Sequence, residues 1–136
     1  MGIPWQSPRG TQQRPPEPPL NVPDAPIDLN VLGEFTGHDQ AQTLRLARHF
    51  AETARKTLAE IQAARDAADL GALQRLGHRL KSSAAMAGAR NCSALCLQLE
   101  KSPDLPAALE LVGRLGPEVA AISAHIAGLK DGPAGA

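Results

Sequence analysis

From Ile27 onward, apolar residues recur at spacings of three and four, and no two-residue alternation persists anywhere. That spacing puts side chains on one face of a helix and argues against strands. The pattern predicts a short helix over 28–35, N-capped by Asp28, with Leu29, Leu32 and Phe35 facing inward and Gly37 ending it. Asp39, followed three residues later by Gln42, resembles a capping box. It introduces a long helix whose stripe is Leu44, Ala47, Ala51, Ala54, Leu58 and Ile61, with Arg45, Arg48, Glu52, Arg55, Lys56 and Glu60 on its other faces. Asp69 caps a third helix running to about Met86, where Gly88 breaks it. Asn91 opens a shorter fourth helix with Cys92, Leu95, Cys96 and Leu99 on one side. In the last segment Leu105, Val112, Val119 and Ile126 repeat every seven residues, as do Ala108, Leu115, Ile122 and Leu129. Gly116-Pro117 interrupts this stripe without changing its register, which predicts a kinked helix, or two stacked ones, over 105–129. The expected fold is all-α: an up-and-down antiparallel four-helix bundle with a short extra N-terminal helix and a kinked last helix.

The chain ahead of Ile27 reads differently. Eight of the twelve prolines lie between Pro4 and Pro26, and the run Arg14-Pro15-Pro16-Glu17-Pro18-Pro19 favours polyproline II. With few apolar residues to offset its ordering entropy, residues 1–26 are expected to form a flexible linker or tail. The bundle then spans 27–130, and 131–136 form a disordered C-terminus. The linker-like start suggests a piece cut from a longer protein.

Charge narrows the function. Fourteen Lys plus Arg balance fourteen Asp plus Glu, so the broad cationic field of a nucleic-acid binder is missing. Aromatic residues make up only 2%, which leaves little for base-stacking platforms or sugar clefts. No run approaches the roughly 20 apolar residues that span a bilayer, and the first residues do not read as a secretory signal. Two cysteines make no disulfide scaffold, which points to a reducing, cytoplasmic setting. Neither a Gly-rich phosphate loop nor a carboxylate cluster is present to supply a nucleotide site.

The candidate chemistry lies on the third helix. At about 100° per residue, Leu73, Leu76, Leu80, Ser83, Ala84 and Ala87 gather on one side. His78 projects away from them, with Gln74, Arg75, Lys81 and Ser82 one turn before or after, and with Gly71 and Ala85 two turns away on the same strip. A solvent-facing histidine is largely neutral near pH 7 and nucleophilic, and a lysine one turn on can neutralise a phosphoryl group. Small neighbours leave room for a partner protein.

The run Leu76-Gly77-His78-Arg79-Leu80-Lys81-Ser82-Ser83-Ala84-Ala85-Met86-Ala87-Gly88-Ala89 resembles the signature of the histidine-containing phosphotransfer (HPt) family. The downstream Cys96-Leu97-Gln98-Leu99-Glu100 also resembles the family, whose next helix often ends in a Leu-Glu pair. The resemblance implies His78 as phosphoacceptor and Lys81 as the residue that steadies the phosphoryl group. It also implies a receiver-docking face comprising Gln74, Arg75, Arg79, Ser82 and Ala85. Ser82 stands where many members carry Gly. The implied role is that of a monomeric relay between receiver domains, in which the receivers contribute Mg²⁺ and the chain has no cofactor of its own.

Other groupings carry less. Cys92 and Cys96 could join His49 or His38 on zinc, but both lie on the core stripe, where free cysteine packs as a small hydrophobe. His49 and His125 are expected at the surface or boundary. The heptad stripe supports an alternative function, a non-catalytic helical adaptor that binds a partner helix.

Overall fold

A computed structural model describes residues 25–129; most of the Pro-rich segment and the C-terminal tail lie outside them. Five helices follow in order: α1 (Leu29–Thr36), α2 (Gln40–Asp66), α3 (Leu70–Met86), α4 (Arg90–Glu100) and α5 (Leu105–Ala127). No strand occurs among the described residues.

Four aspartates set the helix starts. Asp28, Asp39, Asp69 and Asp104 each sit in extended conformation and accept a backbone N–H from the first turn, all at 3.0 Å. Such caps satisfy amide groups that have no partner inside the helix. Asp39 makes only its own half of a capping box, because Gln42 turns its Oε1 to Arg45. The fourth helix departs from expectation: it begins at Arg90, behind Ala89, with no side-chain cap, and Asn91 lies exposed inside it. Burial decides this. Ala89 is fully enclosed in the core, where a polar cap would be desolvated.

Connections of three or four residues force neighbouring helices to run antiparallel. Each helix packs on the next, and α5 closes the ring against α2, giving the up-and-down bundle that the spacing predicts. The core runs through Leu44, Ala47, Ala51, Ala54 and Ile61 of α2, Leu73 and Leu80 of α3, Cys92, Cys96 and Leu99 of α4, and Val112, Leu115, Val119 and Ile122 of α5. The seven-residue stripe of α5 is thus spent inside its own bundle, which removes the motive for an adaptor helix. Gly116-Pro117 does not divide α5, which continues through Pro117. The bond that proline cannot make falls opposite Gly113, which is exposed, so water can satisfy its carbonyl.

Two corrections concern α1 and α2. Phe35 does not face inward but is 62% exposed. In an eight-residue helix the inner stripe is already complete with Leu29, Leu32 and Gly33, and Thr36 binds Thr43 of α2 through their hydroxyls at 2.8 Å. Phe35 falls to the side of that stripe. On α2, Phe50 and Thr57 join the core beside the expected positions, while Leu58 is only partly buried.

One glycine fixes how the N-terminal helix docks. Gly88 adopts φ +81°, a left-handed conformation that side chains disfavour. A Cβ there would collide with the Asp28 carbonyl, and the Asp28 N–H donates to the Gly88 carbonyl at 2.9 Å.

Candidate functional site

The packing of α3 on α4 builds the candidate site. Gly77 is buried at their crossing: an added Cβ would lie 2.8 Å from the Cys96 carbonyl oxygen and 3.1 Å from the Glu100 nitrogen. Only a residue without a side chain permits so close an approach. The consequence falls on the next residue. His78 projects from α3 with its side chain 65% exposed, and Glu100 of α4 reaches it. Glu100 Oε2 lies 2.8 Å from His78 Nδ1, and Oε1 accepts from Lys81 Nζ at 2.6 Å.

One carboxylate therefore spans the histidine and the lysine. A carboxylate can only accept, so in the neutral ring the contact places the proton on Nδ1 and leaves Nε2 with the free lone pair. The bonds from Lys81 and His78 lower the pKa of Glu100 below the usual value. As the pH falls, this bridge outlasts an ordinary surface carboxylate and is lost only as the lowered pKa is passed.

The other ridge residues divide by neighbour. Gln74 Nε2 donates to the Ser102 carbonyl at 2.9 Å, tying α3 to the turn before α5. Arg79 reaches Glu60 of α2 at 2.7 Å, an exposed pair that contributes little to stability. Arg75 is exposed on the same side. Ser82 and Ala85 are exposed beyond His78, and Lys81 is half-buried towards α4. Leu80 is buried beneath the ridge, whereas Leu76 and Ser83, expected in the core, are half-buried at its edge.

Sequence reasoning gave Glu100 no role beyond its place in a Leu-Glu pair. The usable signal was its position: one turn past Cys96, which backs onto Gly77, it must emerge beside His78. Cys92 and Cys96 are buried free thiols in the core, while His38 and His49 are exposed elsewhere. His125 is half-buried on α5.

Gly77→Ala should lose about 1–3 kcal/mol through overpacking. It should also part Glu100 from His78, because both atoms the new Cβ meets first are backbone. Thermal melting and the imidazole ¹⁵N shifts check the two effects. Unchanged values for both would mean that α4 is not held at this spacing.

The described residues thus form a bundle of antiparallel helices presenting an exposed histidine whose Nδ1 meets a carboxylate that also holds a lysine. The Hpt domain family model matches residues 45–130, well over half the chain. This chain belongs to the Hpt domain family, and its general activity is histidine phosphotransfer in two-component phosphorelays. Its structure is similar to the crystal structure of histidine-containing phosphotransfer protein B (HptB) from Pseudomonas aeruginosa PAO1. The TM-score is 0.67 at 24% identity, covering 74% of this chain and 90% of that one. At that identity the likeness speaks for the fold. No curated protein sequence matches the chain. Among the described residues no helix is long and apolar enough to cross a membrane.

Proposed function

We propose that His78 Nε2 accepts a phosphoryl group from the aspartyl phosphate of one receiver domain and passes it to the aspartate of another. The observation that carries this reading is the Glu100 contact at Nδ1 of an exposed imidazole. In the forward step the Nε2 lone pair attacks phosphorus, the P–O bond to the aspartate breaks, and the carboxylate leaves with its electrons. No proton has to move. The ring becomes a phosphoimidazolium that keeps its Nδ1–H on Glu100, whose negative charge offsets the new positive one. Lys81, already one turn away, turns its ammonium from Glu100 to the phosphoryl oxygens. The reverse step on a second receiver regenerates neutral imidazole.

Transfer of this kind is mostly positioning and charge neutralisation, so the receivers can contribute the Mg²⁺ and the acidic pocket. Arg75 and Arg79 would face that pocket, while Gln74, Ser82 and Ala85 complete the docking face of a monomeric carrier working in the cytoplasm. The test is incubation with receivers labelled at aspartate with radioactive phosphate. Label should appear on the chain as acid-labile, base-stable phosphohistidine. If none of the receivers of the source organism transfers label, the relay reading fails.

Lys81→Ala should keep the nucleophile and slow transfer about tenfold. Losing one donor in an enclosed site costs roughly 10²–10³ in rate, and water together with the receiver's metal reduces that at a surface. Rapid-quench transfer kinetics measure it; an unchanged rate would remove Lys81 from the chemistry.

A further inference from the structure

Two polar atoms of α5 lie out of water with no hydrogen-bond partner among the described residues: Glu118 Oε2 and His125 Nε2. Buried polar groups are ordinarily paired, so such atoms point to a partner. At about 100° per residue they share one side of α5 with Ala107, Leu111 and Arg114. That side faces α4. Glu118 lies close enough to Cys92 for its charge to act on the thiol. Ala107, Leu111 and Arg114 form one wall of a groove of about 430 Å³, and the other wall includes the exposed Leu97 and Lys101.

Position and charge identify what covers this seam. The described chain begins at Ala25, and Asp28 is fixed at the head of α4: its N–H donates to the Gly88 carbonyl and its carboxylate lies 3.5 Å from Arg90. The preceding residues therefore start at the head of α4. A polyproline II segment advances about 3.1 Å per residue, which puts Leu20 about 12 Å from Asp24. From Arg90 to Leu97 is about 10 Å along α4, at 1.5 Å per residue. Glu17, one polyproline turn further, then reaches the far end of α4. There Lys101 and Arg114 form no ion pair among the described residues. These two cations outnumber the one carboxylate of the groove, Glu110, whereas residues 15–24 carry Glu17 and Asp24 and no cation.

We propose that residues 15–24 of this same chain dock along the α4–α5 seam, with Leu20 on Leu97 and Leu111, Glu17 between Lys101 and Arg114, and backbone groups of Val22 and Asp24 reaching Glu118 and His125. Prolines at 15, 16, 18, 19 and 23 hold the segment extended before it docks, so little ordering entropy opposes the contact. In that form its backbone groups make no internal hydrogen bonds and are free to pair. Covalent attachment keeps its local concentration near the millimolar range, so a small interface suffices. None of the groove residues belongs to the His78 ridge, so docking leaves the histidine open to its partners.

The test uses the whole chain. A nitroxide on Gln13→Cys, attached while Cys92 and Cys96 stay buried, should cut the amide signals of Lys101, Ala107 and Arg114 at least twofold relative to the reduced label. The signal of Arg45, on the far side of the bundle, should keep its intensity. Arg114→Glu and Glu17→Lys should each restore the lost signals, and the two together should bring the broadening back, a rescue that general loss of structure cannot give. Arg45→Glu is the control and should leave the broadening as it is. Arg114 is exposed and Glu17 lies ahead of the bundle; circular dichroism verifies folding, and Arg114→Gln replaces the glutamate variant if that fails to fold. Full intensity in the otherwise wild-type chain overturns the proposal. Broadening that survives both single reversals does so too, because the segment would then lie elsewhere, and a double variant without rescue removes the Glu17 contact and with it the placement. The last arm mixes labelled chain lacking ¹⁵N with unlabelled ¹⁵N chain. Broadening there overturns the proposal, because the groove would then hold the segment of a second copy.

Discussion

His78→Gln should leave the chain folded and abolish its uptake of phosphate from a receiver. Glutamine has no nucleophilic ring nitrogen, so the P–O bond of the donor has nothing to exchange for. Its amide nitrogen falls near the position of Nε2 rather than Nδ1, so Glu100 loses the histidine bond but keeps the one from Lys81. With the side chain 65% exposed, the substitution should change stability by no more than about 0.5 kcal/mol. Circular dichroism and labelled transfer together make the measurement. Labelling of this variant at the wild-type rate would transfer the acceptor role to another residue and end the relay reading.

The second large effect concerns what lies under the ridge. Leu80 is 1% exposed, and Leu80→Ala should cost about 2–5 kcal/mol through lost burial and the cavity left behind. In a domain of this size that lowers the melting temperature by on the order of ten degrees or more. Leu97 on α4 is 39% exposed, and its replacement by Ala should cost less than about 1 kcal/mol. Equal, small losses at both positions would mean that α3 is rotated from the orientation that exposes His78.

Local signals made much of the molecule legible in advance. Aspartate caps at Asp28, Asp39 and Asp69 mark helix starts because the interaction spans two or three residues. The stripes of α2, α3 and α5 are periodic over many turns, so errors at single positions average out. Phe35 escaped because a two-turn helix has too few positions to fix its phase. Asn91 is a good cap by type, yet enclosure of Ala89 shifts the start of α4, and burial is not written in the neighbouring residues. For the same reason half of the site was hidden. His78 and Lys81 lie three residues apart on one helix, whereas Glu100 arrives from 22 residues downstream. Its arrival depends on Gly77, which a helical wheel records only as a gap.

The paired thiols of α4 give the bundle an internal gauge of its own opening. Cys92 and Cys96 are fully buried, and the thiol of Cys92 is held protonated by its hydrogen bond with Cys96 and by desolvation. A neutral, enclosed sulfur reacts with an alkylating reagent only while the helices around it are apart. The alkylation rate therefore counts the opened fraction of an unmodified, unlabelled chain. The Cys96 backbone lies against Gly77, so the openings it counts include separation of the two helices that hold Glu100 against His78.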